Sequence, residues 1–283
     1  MNFKNTVFFC GTIILLSFLI LNCGSSGMTY QSSFAAAATT TEYEHKLKWG
    51  SKGIATGQFN QASGITADSE NNIYVADFTG RSNMIQKFTN NGSFILGFGV
   101  FGNGPQFFTN PTGLVADSDN NIYIADFGNP TYAIKKFSSD GKFINTFGSF
   151  GLGDGEFITP GGLGVDKENN IYATDFGENN NIQKFDQNGN FIMKFGTYGT
   201  GDGQFNNPIE IAIDSSDTLF ITDDKNNRVQ VFNSDGGYIT QFGNQGSASE
   251  IIQDPGGIAV DSSGNVYVGD GNDSDLHVFS PVK

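Results

Sequence analysis

The chain has 283 residues, 37% of them hydrophobic and only 16% charged, with 38 Gly, 28 Phe, 2 Cys and a formal net charge of −14. That length permits one large all-β domain or two small ones, and the Phe content supplies ample apolar surface to bury. So acidic a surface repels phosphate backbones, which excludes nucleic acid as an expected partner. Both cysteines, Cys10 and Cys23, lie near the N-terminus, which excludes a disulfide framework or a cysteine metal site in the body.

Residues 1–22 read as a signal peptide: Lys4 precedes an apolar run from Val7 to Leu21, of signal-peptide length and short for a membrane span. Cys23 follows at once, then Gly24, Ser25 and Ser26. The box Ile20-Leu21-Asn22-Cys23 resembles a bacterial lipoprotein signal, in which the cysteine after the cleavage point carries lipid; Asn22 departs from the small residue expected there. Ordinary cleavage or an uncleaved anchor is the alternative. Each version exports the domain, to the cell surface or periplasm, anchored to a membrane. Residues 23–42 are small and polar, a flexible tether. The folded domain is expected over 43–283.

That domain carries one pattern five times. Asp68, Asp117, Asp166, Asp214 and Asp261 each close a first apolar strand. Asp77, Asp126, Asp175, Asp223 and Asp270 close a second, always nine residues later. Each unit holds strand-length runs rich in Ile, Val, Tyr and Phe, as in NIYATDF and NIQKFD of the third. Asn91-Gly92, Asp140-Gly141, Asn188-Gly189 and Asp235-Gly236 supply the positive φ of tight hairpins. Four antiparallel strands over about 48 residues make a propeller blade. The last unit ends without a fourth strand, and His45–Ser51, where Trp49-Gly50 matches Phe195-Gly196, is expected to supply it and clasp the ring.

These units resemble the NHL repeat family, most closely along Asp223–Phe232. The resemblance implies an all-β, NHL-type β-propeller, here of five four-stranded repeats closed by an N-terminal strand; a six-bladed TolB-like ring is the alternative. It also implies ligand binding on the face where strands two and three join and where blades connect. Candidate residues there are Phe78, Phe127 and Phe176, then Asp224, at one station after the second Asp. Glu210 and Arg228 complete the candidate ligand face: Glu210 stands where the other units have Gly64, Gly113, Gly162 and Gly257, either as a ligand or cation contact or paired locally with Lys225 or Arg228. Both Asp series read as turn caps.

The expected function is therefore non-catalytic recognition of a protein, peptide or glycan by a monomeric propeller without a cofactor. A divalent-cation-dependent hydrolase or lactonase is the alternative, with calcium as its ion. Against it, the channel strands are apolar up to the terminal Asp. The histidines, His45 and His277, fall outside the channel, so no triad or histidine metal site is expected.

Overall fold

The computed structural model describes residues 47–78, 82–128, 131–244, 246, 251–272 and 275–281. The expected signal peptide, tether and Cys23, and His45 and Lys46 of the clasp, lie outside the described residues.

The described chain is an all-β propeller of five antiparallel blades, with one 3-10 turn, Asp224–Asn226. Inner strands are Ala62–Ala67, Pro111–Ala116, Pro160–Val165, Pro208–Ile213 and Pro255–Val260. Each pairs with its second strand (Ile73–Asp77, Ile122–Asp126, Ile171–Asp175, Leu219–Asp223, Val266–Asp270). Third strands are Ser82–Phe88, Ala133–Phe137, Asn181–Phe185, Arg228–Phe232 and Leu276–Phe279. Four blades add an outer strand: Phe94–Val100, Phe143–Phe147, Phe191–Phe195 and Tyr238–Phe242. The fifth has three strands among the described residues. Residues 47–51 are assigned to no strand, yet Trp49-Gly50 takes the Phe-Gly station: Trp49 lies against Gly92 of blade one as Phe98 lies against Gly141 of blade two.

From blade one to blade five, consecutive inner strands pack against one another. Apolar cores fill these seams, for example Tyr74, Ala76 and Ile85 of blade one against Leu114, Ile124 and Phe137 of blade two. Because both faces of a middle blade are covered, its second and third strands are buried nearly throughout rather than at alternate positions, polar side chains included. The outward faces of the end blades differ: Ile65 is 67% exposed where its counterparts Leu163 and Ile211 are 5%. Among the described residues no helix is long and apolar enough to cross a membrane.

The first Asp series behaves as its sequence position predicts. Oδ1 of Asp68 accepts the backbone N–H of Glu70 (3.0 Å) and Asn72 (2.8 Å), and the other four cap their turns in the same way. The other oxygen does more. In blades one to three it meets a tyrosine and a lysine: Tyr74 and Lys87, Tyr123 and Lys136, Tyr172 and Lys184. Both also reach a turn carbonyl in the next blade, at Ser139, Gln187 and Ser234 respectively. Each ammonium lies 4.8–4.9 Å from its tyrosine ring centre. The triad is thus a buried latch across the seam.

Of the second series, Asp270 caps its own turn as expected, Oδ1 accepting the Asn272 N–H (2.9 Å), but the series as a whole has another role. These carboxylates reach back to the loop entering the blade: Asp77 accepts from Asn60 and Gln61, Asp126 from Thr109 and Asn110, Asp175 from Ile158 and Thr159. The physical reason is adjacency: the residue before the inner strand and the end of the second strand are antiparallel neighbours, so the loop's free N–H groups face the carboxylate.

Candidate functional site

The loop clamp fixes one face of the ring. Immediately after each second-strand Asp, the next backbone N–H donates to the entering loop: Phe78 to Gln61, Phe127 to Asn110, Phe176 to Thr159, Asp224 to Asn207 and Gly271 to Asp254. The predicted station is therefore real and repeats in all five blades. Its side chains divide into two groups.

Phe78, Phe127 and Phe176 are each partly buried, with one side open to solvent. The Phe78 and Phe127 rings are in contact, with centroids 5.9 Å apart and planes tilted by 40°. Phe176 lies further round the ring, against the inner strand of its own blade: a Cβ on Gly161 would stand 3.1 Å from its Cδ1. The neighbouring glycine serves Glu210. A Cβ on Gly162 would stand 2.5 Å from Glu210 Oε2 and 2.8 Å from the Ile209 carbonyl. Phe176 and Glu210 thus stand against adjacent glycines, Gly161 and Gly162, although 34 positions separate them in the chain.

Glu210 does not pair with Lys225 or Arg228. Lys225 bridges Asp224 and Asp254, at 2.9 Å from each. Arg228 is fully buried, its Nε 2.8 Å from Asp223 Oδ2 and its other nitrogens on the carbonyls of Thr200, Gly201 and Gln204 and on Gln241. It holds the loop entering its blade and offers no donor to a ligand. Asp224 is likewise buried, one oxygen taken by Asn207 Nδ2 (2.7 Å) and Lys225. With no ion-pair partner among the described residues, the carboxyl of partly exposed Glu210 is pushed up to about 7 by desolvation, against the lowering effect of the Ile211 N–H. Burial likewise lifts Asp175 to about 6, though Asn179 and two backbone N–H groups hold it.

Sequence reasoning missed the hydroxyls that set this geometry. Thr174 Oγ1 accepts the Gly162 N–H (2.8 Å) and donates to the Ile209 carbonyl (2.8 Å) of blade four. Thr222 accepts the Glu210 N–H (2.9 Å) and donates to Gly256 of blade five. Ser63 and Thr112 bolt the first two seams to Pro111 and Pro160 from the inner strand instead. The small-hydroxyl signal was present but changes strand between blades, which hides it from an alignment by station.

Among the described residues no group of three or more His, Cys, Asp or Glu side chains is placed to hold a metal ion. His277 lies on the third strand of blade five, Nε2 3.5 Å from Asp270.

The NHL repeat family matches residues 108–137 and 205–232, and a β-propeller repeat family, SBBP, matches 237–273. No curated protein matches the chain. Similar solved structures include Staphylococcus aureus virginiamycin B lyase, as a catalytically inactive histidine-to-alanine variant with quinupristin. It has 16% identity and a TM-score of 0.58, over 84% of this chain and 75% of that one. A Bacteroides caccae protein of unknown function has 12% identity and a TM-score of 0.58, over 84% of this chain and 80% of that one. A putative gluconolactonase has 11% identity and a TM-score of 0.58, over 77% and 73%. At such identities the likeness is one of fold.

Proposed function

We propose that this propeller is an exported, membrane-anchored, non-catalytic recognition module, which takes a protein, peptide or glycan on the face carrying Phe78, Phe127 and Phe176. The observation that supports it best is the Phe78–Phe127 ring pair, held half open by a backbone clamp that leaves the rings little freedom to collapse inward. Rigid aromatic side chains that keep an open face are the usual anchors of recognition surfaces. Replacing both rings, Phe78→Ala with Phe127→Ala, is expected to weaken ligands found on peptide and glycan arrays by about tenfold or more. Unchanged array binding by a folded double variant would reject this face.

One observation favours a hydrolase as the second reading: a carboxyl at about 7 suits a general acid or base. It ranks lower because, among the described residues, no ion-pair or metal-binding group of acids or histidines forms around Glu210. His277 lies instead against Asp270, on the third strand of blade five. Lactone and ester hydrolysis with added calcium, absent in Glu210→Gln, would promote it.

A further inference from the structure

At one point of the face described above a carboxyl and an aromatic ring stand against adjacent glycines, and the chemistry of that point is specific. We propose that Glu210 and Phe176, seated over Gly161-Gly162, form a subsite for the ammonium group of a basic peptide. This rests on the recognition reading and names its ligand class.

Several features converge. A Cβ on Gly162 would stand 2.5 Å from Glu210 Oε2, and the backbone of blade four crowds it too, as the next blade's backbone crowds Gly64 and Gly113 at the same station, so the carboxyl lies over bare backbone. Among the described residues the carboxyl forms no ion pair with a lysine or arginine; Lys225 and Arg228 are committed to Asp223, Asp224 and Asp254. The Phe176 ring stands against the adjacent glycine and is partly exposed, and an aromatic ring near a bound cation adds cation–π attraction. A carboxylate beside an aromatic face selects an ammonium over a neutral or anionic group. The chain's net charge of −14 also draws basic partners toward it.

The surroundings do not supply a competing cause. The inner strands of blades three and five, packed on either side, carry no charged residue. On the second strands of blades three and four, Tyr172 is turned to Asp166, Asp175 to its entering loop and Asp223 to Arg228. Thus the carboxyl that rises to about 7 is an isolated one, and a bound cation would bring it down.

The test uses the full chain and calorimetry with a short, end-capped peptide of alternating lysine and leucine, and its fully Nε-acetylated form. At about pH 8 the lysine peptide is expected to bind and the acetylated one to bind about tenfold more weakly. Glu210→Gln should lose about tenfold and Phe176→Leu about threefold, while Glu168→Gln, an exposed acid in the turn between the first and second strands, stays within about twofold. Wild-type affinity should fall as pH drops through about 7, with no such step in Glu210→Gln. A carboxyl-resolved NMR titration of the unmutated chain provides a measurement that no folding defect can confound: peptide should lower the Glu210 midpoint. Equal binding of both peptides, no binding at all, or a midpoint that peptide does not move would each overturn the subsite. Binding lost in the Phe78/Phe127 double variant but kept in Glu210→Gln would also overturn it, leaving the aromatic face intact. Binding indifferent to all three positions would remove both.

Discussion

Blades three and four are the same architecture with their polar groups moved. Blade three holds the seam latch Asp166–Tyr172–Lys184 onto Ser234 and has Gly162 and Phe176 at the ligand face. At the same stations blade four has Asp214, Phe220 and Val231, with Glu210 and Asp224 at the face. Its seam toward blade five is therefore apolar, with Phe220 against Val229, Val266 and Val268. Its buried charge sits instead at the loop clamp, in Arg228 and Asp223. The difference teaches that a seam can be held by either chemistry. The ligand-face stations are freer to vary because the clamp beneath them is made by backbone groups.

The largest test strikes the clamp that only blade four builds with an arginine. Arg228→Ala leaves Asp223, fully buried, without its ion pair, and removes a donor from three loop carbonyls, of which Gly201 and Gln204 keep another. Breaking a buried pair from one side costs about 3–5 kcal/mol. A urea midpoint should fall accordingly. A drop no larger than that of an ordinary surface change would mean the clamp's strength resides in Gln230, which also reaches Asp223 and the Gln204 carbonyl.

The second test concerns Glu210, the blade's other departure. Its carboxyl is raised in the folded protein to about 7, so between the unfolded value and about 7 the folded state binds more protons than the unfolded one. Stability supported by the neutral acid is therefore present below the ordinary carboxyl range and is lost as pH rises through about 7. Glu210→Gln, neutral throughout, should match wild type near pH 4 and exceed it by about 1–3 kcal/mol near pH 8. Asp175, raised to about 6, contributes with the same sign to both proteins and cancels in the comparison. A variant less stable than wild type at high pH would show that the ionised carboxylate already has a partner.

Much of this was readable in advance, and the reasons are local. The period, the strand order and the Asp68-type caps follow from residues four or fewer apart, where turn chemistry decides. The ring of Phe78, Phe127 and Phe176 was legible as a station because repeats superimpose. What sequence could not give were contacts between units. The second Asp series serves N–H groups 16 and 17 residues upstream, a choice made by strand adjacency. Arg228 read as a ligand-face residue, yet the loop at Thr200–Gln204 folds over it and buries it. Glu210 and Phe176 stand against adjacent glycines only because blades three and four are side by side at Gly161-Gly162.

The smallest effects come from exchanging the seam chemistries directly. In blade three, Tyr172 Oη is 2.9 Å from the Ser234 carbonyl and 3.3 Å from Asp166 Oδ2. Tyr172→Phe removes that hydroxyl, but Lys184 still spans both acceptors at 3.2 and 3.3 Å, so the loss should be about 1 kcal/mol. The reciprocal Phe220→Tyr places a hydroxyl near Asp214, as Tyr267 does with Asp261 in blade five. With Val231 in the lysine's place, it completes no charged latch, and the change should stay within about 0.5 kcal/mol. Measured together by thermal unfolding, the pair discriminates between two accounts of the seam. If Tyr172→Phe costs as little as Phe220→Tyr, the latch adds register rather than stability, and the apolar cores hold the blades together. If Phe220→Tyr stabilises by more than that margin, the hydroxyl alone carries the latch, and the lysines serve mainly to neutralise the aspartates they face.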